Sequence, residues 1–98
     1  MSEEETGFSR FVKQHRCRRH WSRAELARRA ELTQPEVSRV ESGARNPTLR
    51  LVIGIAEAFS HAPMGDGEPP DYPHWVSVLA DLGEEAREQR RSRRPDEG

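Results

Sequence analysis

Three hydroxyl residues, Ser22, Thr33 and Thr48, each stand directly before a run of helical periodicity, and Gly43 closes the middle run. Serine and threonine start helices because their oxygens accept the orphan N–H groups of the first turn. Glycine ends them because it takes the left-handed backbone without penalty. Caps this close together leave room only for short helices joined by tight turns. In "SRAE" and "TQPE" a glutamate follows the cap by three residues, the spacing at which it reaches back to close a capping box. Pro35 falls in the first turn of its helix, where a missing N–H costs little.

These signals predict an all-α chain, a compact bundle of four to five helices, since no segment alternates as a half-buried strand does. The first helix runs from Phe8 to about Arg19, with Phe8, Val12, His15 and Arg16 on one face. The second runs from the Ser22 cap to Ala30 and turns Leu26, Ala27 and Ala30 inward. The third starts at Thr33 and stops at Gly43. The fourth starts at Thr48 and carries Leu49, Val52, Ile53, Ala56 and Phe59 at helical spacing. After residues 8–60 the texture changes: "SHAPMGDGEPPDYP" has the Pro, Gly and Asp content of a linker, assigned to residues 61–72. Residues 73–90 form a fifth helix with Trp75, Val78, Leu79 and Leu82 in one stripe. That stripe either caps the core or meets a second subunit, where Trp is a favoured anchor. Residues 1–7 and 91–98 are charged ends expected to be disordered.

A chain of 98 residues is one small domain. The single Cys17 excludes an internal disulfide and suits a reducing cytosol. No apolar run approaches the roughly 20 residues a bilayer requires, and "MSEEET" is not a signal peptide, so the expected location is the cytoplasm without a membrane partner. The net charge of −1 argues against a polyanionic partner, but its distribution argues for one. Residues 7–60 hold 11 Lys/Arg against 5 Asp/Glu, and acidic segments flank them. Such segregation suits a protein that meets a polyanion with one part only. The plainer explanation, that arginine merely solubilises the helices, has equal weight on composition alone.

The third helix separates these readings. With Gln34 at 0° and about 100° per residue, Val37, Val40 and Glu41 fall near 300°, 240° and 340°. Pro35, Ser38 and Arg39 fall near about 100°, 40° and 140°, beside Gln34. One arc anchors the helix to a core. The other offers an amide, a hydroxyl and a guanidinium, the groups that read base edges in a major groove. The short second helix, the tight "EL" connection and this two-faced helix together make a helix-turn-helix. Glu41 lies beside the valine arc, so its carboxylate needs a cation, and Arg16 on the first helix is placed to supply one.

The stretch "WSRAELARRAELTQPEVSRVESGARNPTLRLVIGIAEAF" resembles the phage repressor/Cro-type, Xre-like helix-turn-helix regulators. The pattern is Ser-x-x-x-Leu-Ala at 22–27, Val-Ser-x-x-Glu-x-Gly at 37–43 and Asn-Pro-Thr-Leu at 46–49, and the likeness extends from Phe8 to Phe59. The resemblance implies a DNA-binding domain that engages duplex DNA as a two-fold dimer, with Arg16 paired to Glu41. It places Gln34, Pro35, Ser38 and Arg39 at the bases and Arg23, Arg45 and Asn46 against the DNA backbone. Thr33, the cap of the reading helix, counts among the DNA-facing residues. Arg39 has the geometry to pair bidentately with guanine and Gln34 with adenine, whereas Pro35 offers only apolar contact to a thymine methyl. Free N–H groups at the start of the Ser22 helix and after Gly43 are natural phosphate ligands. Three positions depart from the family pattern. Arg23 replaces a glutamine, and Glu31 and His20 replace glycines. A left-handed backbone at Glu31 would cost roughly 1–2 kcal/mol.

His15, Cys17 and His20 are the only clustered metal-type ligands. His15 and Cys17 lie about 200° apart on a helix, so no metal site and no cofactor are expected. His15 fits a core position and Cys17 an exposed one. No phosphate-binding glycine loop, nucleophile elbow or metalloprotease signature occurs, so the chain is not read as an enzyme. The expected function is a sequence-specific regulator of transcription, a repressor that binds a palindromic operator as a homodimer. The alternatives are a DNA-binding antitoxin with a toxin partner, or an adaptor that keeps the fold, binds another protein and has lost DNA binding.

Overall fold

The computed structural model describes residues 5–65 and 67–92. Five helices occur among them, α1 (Gly7–Arg18), α2 (Arg23–Ala30), α3 (Gln34–Ser42), α4 (Leu49–Ser60) and α5 (Tyr72–Ser92), with no strand. The first helix begins at the edge of the segment expected to be disordered. Thr6 caps it, and Ser9 answers in a reciprocal box, with the Thr6 N–H donating to Ser9 Oγ at 2.8 Å and the Ser9 N–H to Thr6 Oγ1 at 3.1 Å. At the other end α5 continues through Ser92, past the expected boundary at residue 90; residues 93–98 lie outside the described part. Thr33 and Glu36 close the predicted capping box of α3. The predicted box of α2 is only half made. Ser22 accepts from the Glu25 N–H, but the Glu25 carboxylate turns instead to Arg28 and Arg29 at 2.5 and 2.6 Å. Two guanidiniums one turn away outcompete a single N–H for an exposed carboxylate.

Phe8, Val12, Leu26, Val37, Val40, Leu51, Ile55, Phe59, Trp75 and Leu79 form one buried core. The expected apolar stripe of α4 is corrected here. Leu51, Val52, Ile55, Ala56, Ala58 and Phe59 are buried, whereas Leu49 is 69% and Ile53 38% exposed. The helix is apolar on nearly every side, so periodicity alone does not choose the buried arc; α2 and α5 choose it by packing on two flanks. Gly54 allows α2 to come close: a Cβ there would stand 2.5 Å from the Ala30 carbonyl oxygen.

Trp75 and Leu79, offered above as dimer anchors, are 1% and 0% exposed within the chain's own core, so they cap it and cannot meet a partner. Val78 and Leu82 are half-buried beside them. Trp75 stands edge-on to His15 with centroids 5.2 Å apart and also packs against Phe59 and Phe11. The linker is a folded strap. Its Glu68 carboxylate, 2% exposed, accepts from Arg19 at 2.6 Å, from His15 Nδ1 at 3.1 Å and from the Met64 N–H at 3.2 Å. Arg19 is buried too. It donates to the carbonyls of His15 and Ala62, and its guanidinium lies 4.7 Å from the Phe59 ring centre and 5.5 Å from that of Trp75.

Burial pushes the Glu68 carboxyl up, but the hydrogen bonds from Arg19 and the Met64 N–H outweigh it and hold the group below the ordinary 4.5. Burial likewise dominates at His15 and holds it below 6.5 despite the bond to Glu68. Both groups bind protons more weakly folded than unfolded, so stability is full at neutral pH and falls with acidification. The loss should begin below pH 6.5, where unfolded His15 takes up a proton, and deepen below 4.5, where unfolded Glu68 does. Urea denaturation at successive pH values should show both stages, and His15→Phe should flatten the upper one. Gly54→Ala would ordinarily favour a helix. Here it should instead destabilise the fold by about 1–3 kcal/mol because the added methyl meets backbone, read from the urea midpoint.

Candidate nucleic-acid interface

The reading helix is held by its inner face. Val37 and Val40 are each 1% exposed and Glu41 is 3% exposed, so one arc of a short helix is sealed in the core. Arg16 clasps Glu41 with two parallel bonds, Nε to Oε2 at 2.6 Å and Nη2 to Oε1 at 3.0 Å, and donates a third from Nη1 to the Trp21 carbonyl at 2.8 Å. The fork of a guanidinium matches a carboxylate edge to edge, so this pair fixes orientation as well as charge. It locks α3 to the end of α1 and to the turn that starts α2.

The outer face is open. Thr33, Gln34, Pro35 and Arg39 are exposed and Ser38 is half-buried beside them. The side chains of Gln34 and Arg39 make no hydrogen bond or ion pair among the described residues. The two carboxylates of the same helix, Glu36 and Glu41, are both engaged. Glu36 caps the helix through Thr33 and accepts from Arg50 at 2.8 Å, with Arg45 3.8 Å away. The Arg50 hydrogen bond, followed by those of Thr33, brings the Glu36 carboxyl down to about 2, so it is charged at neutral and mildly acidic pH.

Arg23, expected to meet a DNA phosphate, already has a partner within the chain. It reaches Glu41 from Nε at 3.2 Å while 47% of its side chain remains in solvent. The N–H groups of Arg23 and Ala24 keep no internal partner among the described residues, as a phosphate site requires. The N–H groups after Gly43 are a correction. Those of Ala44 and Arg45 both donate to the Arg39 carbonyl, at 2.9 and 3.3 Å, because the left-handed Gly43 folds them back over the helix end. Arg45 is half-buried and Asn46 exposed, so this loop offers side chains and not backbone. Two cations thus bracket the reading helix, Arg23 held by Glu41 near its C-terminal end and Arg45 beside Glu36 near its N-terminal end. Arg50 was missed in the sequence because it lies 14 residues from Glu36 on another helix, a separation that no local pattern encodes.

Glu31, the turn position, is left-handed at φ 59° and ψ 44°, and His20 has φ 59° as well. The strained turn is therefore made, at a cost of roughly 1–2 kcal/mol for each. Among the described residues no group of three or more His, Cys, Asp or Glu is arranged to hold a metal ion. The charge on Glu41 gives the sharpest test of this frame. Arg16→Met should cost about 3–5 kcal/mol in denaturant unfolding, because it leaves the buried carboxylate with only the half-exposed Arg23 as a cation. Removing both charges in Arg16→Met with Glu41→Met should recover most of that loss.

No curated protein and no solved structure matches the chain. The helix-turn-helix family profile matches residues 12–60, the stretch from the middle of α1 to the end of α4 that contains the clasped reading helix. The chain is therefore a member of the Xre/Cro-type helix-turn-helix family of DNA-binding transcription regulators.

Proposed function

We propose that this DNA-binding regulator is a repressor that reads a palindromic operator as a homodimer. In this reading Gln34, Pro35, Ser38 and Arg39 contact bases, and Thr33, Arg23, Arg45 and Asn46 contact the DNA backbone. The observation that carries it is the contrast on α3: Gln34 and Arg39 are exposed with no internal partner, whereas every other charged group of that helix is satisfied. Unspent donors on a rigid, cation-flanked helix suit base edges, and the flanking arginines suit phosphates. A compact body seated across an operator blocks access to it, which is why repression is the proposed outcome.

The dimer is assigned to α4 and not to α5. Leu49 and Ile53 are exposed large apolar residues one turn apart, and Arg50 between them reaches Glu36 on α3. The patch thus borders the reading helix, where a two-fold mate must lie if two such helices are to enter successive major grooves about 34 Å apart. A second copy covers apolar groups that would otherwise face water.

Selection of bound duplexes from a random pool, followed by sizing of the complex, tests this reading. The expected product is a palindrome bound by two chains, with affinity falling steeply as salt rises because phosphate contacts release counterions. Gln34→Ala and Arg39→Ala should each cost about 1–3 kcal/mol at that operator and relax the preference at one base pair. Ile53→Asp should give a folded monomer with weakened operator binding. Salt-insensitive binding, or no enriched sequence, would falsify the proposal.

A further inference from the structure

The last third of α5 leans on the loop between α3 and α4. Arg87 Nη1 donates to the Pro47 carbonyl at 2.7 Å, across 40 residues of sequence. One turn earlier Gly83 lies against the same proline: a Cβ there would stand 3.3 Å from Pro47 Cβ and 3.5 Å from Pro47 Cγ. Pro47 and Gly83 are both buried. Pro47 has no N–H to donate, and among the described residues its carbonyl has no other partner. The loop's other end is fastened to α3 by the Ala44 and Arg45 N–H groups on the Arg39 carbonyl. Asn46 stands exposed between the two fastenings, directly before Pro47, and Arg45 lies beside it.

We propose that Arg87 is a positioning residue for DNA binding: from α5 it fixes Pro47, and through Pro47 it holds Arg45 and Asn46 in place to meet a phosphate. The proposal rests on the DNA-binding reading above. Without the Arg87 bond Pro47 keeps only its packing on Gly83 and the Thr48 cap that follows it, and a loop held less firmly must be ordered further when DNA arrives, which weakens binding. The fifth helix thereby serves the interface without touching DNA. Arg87 also lies 3.8 Å from Glu84 on its own helix, which keeps part of its charge neutralised where it stands.

The test uses the full chain and the duplex recovered by selection, with affinity measured across a salt series. Arg87→Met, which keeps the stem and removes the donor, should bind about 3–10-fold more weakly with the slope of log affinity against log salt unchanged. Arg87→Lys, which returns a donor, should recover much of the loss. Gly83→Ala should weaken binding although alanine favours a helix, because its methyl pushes Pro47 from the same side; it carries the test if Arg87→Met fails to fold. Faster amide exchange at Ala44 and Arg45 in both variants would accompany the effect. Unchanged affinity in both variants overturns the proposal. So does a salt slope reduced by about 1, which would make Arg87 itself a phosphate ligand. A wild-type chain that enriches no duplex removes the underlying reading, and the proposal falls with it.

Discussion

A carboxylate taken out of water governs this molecule. Glu41 is 3% exposed, and a lone buried charge of that kind costs several kcal/mol. Arg16 offsets the cost with a bidentate clasp, and because Arg16 also holds the Trp21 carbonyl, the same guanidinium ties α1, the start of α2 and α3 together. Apolar burial is non-directional and by itself sets the roll of a nine-residue helix less sharply than a directional contact does. A forked ion pair is directional, since rolling the helix strains both bonds at once. The orientation of the reading face therefore follows from a contact on the opposite side of its helix.

A second buried ion pair does a comparable task at the far end of the bundle. Glu68, carried by the strap between α4 and α5, meets Arg19 at the end of α1 under a roof of Phe59 and Trp75. The arginine is stacked as well as paired, so its flat face is covered by aromatic rings while its edges are spent on a carboxylate and two carbonyls. This junction seats Trp75 and with it α5. The two pairs divide the work: one orients α3, the helix proposed to face DNA, and the other docks the helix that closes the core. The fold tolerates left-handed backbone at His20 and Glu31 because these two residues lie in the tight turns that the paired helices already enforce.

Charge follows the same division. Every arginine near α3 except Arg39 is engaged with a carboxylate: Arg16 and Arg23 with Glu41, Arg45 and Arg50 with Glu36. These pairs do not cancel the positive field, since each carboxylate faces two guanidiniums. They hold the cations in place at both ends of the reading helix, and Arg39 is left unengaged between them. A charge already held in position loses less freedom on meeting a phosphate than one on a loose stem.

The starts of α2, α3 and α4 and the two faces of α3 were settled by the sequence, because caps and amphipathic periodicity depend on residues at most four apart. The Thr33–Glu36 box, the stop at Gly43 and the inward Val37, Val40 and Glu41 all belong to that local order. Arg16 as the partner of Glu41 was legible for a related reason: a charge on a buried arc demands an opposite one, Arg16 lies on the Phe8–Val12 side of the first helix, and the family resemblance implied the same pair. The buried side of α4, the sealing of Trp75 and Leu79, the grip of Arg19 on Glu68, and the contacts of Arg50 with Glu36 and of Arg87 with Pro47 were decided by the tertiary structure. Each joins residues distant in the chain, and several were hidden by helices or linkers whose own pattern allowed more than one partner. A helix that is apolar all round can bury any side, and a long arginine reaches whatever acceptor the packing brings within a few ångströms. Only the way the helices come together selects among those choices.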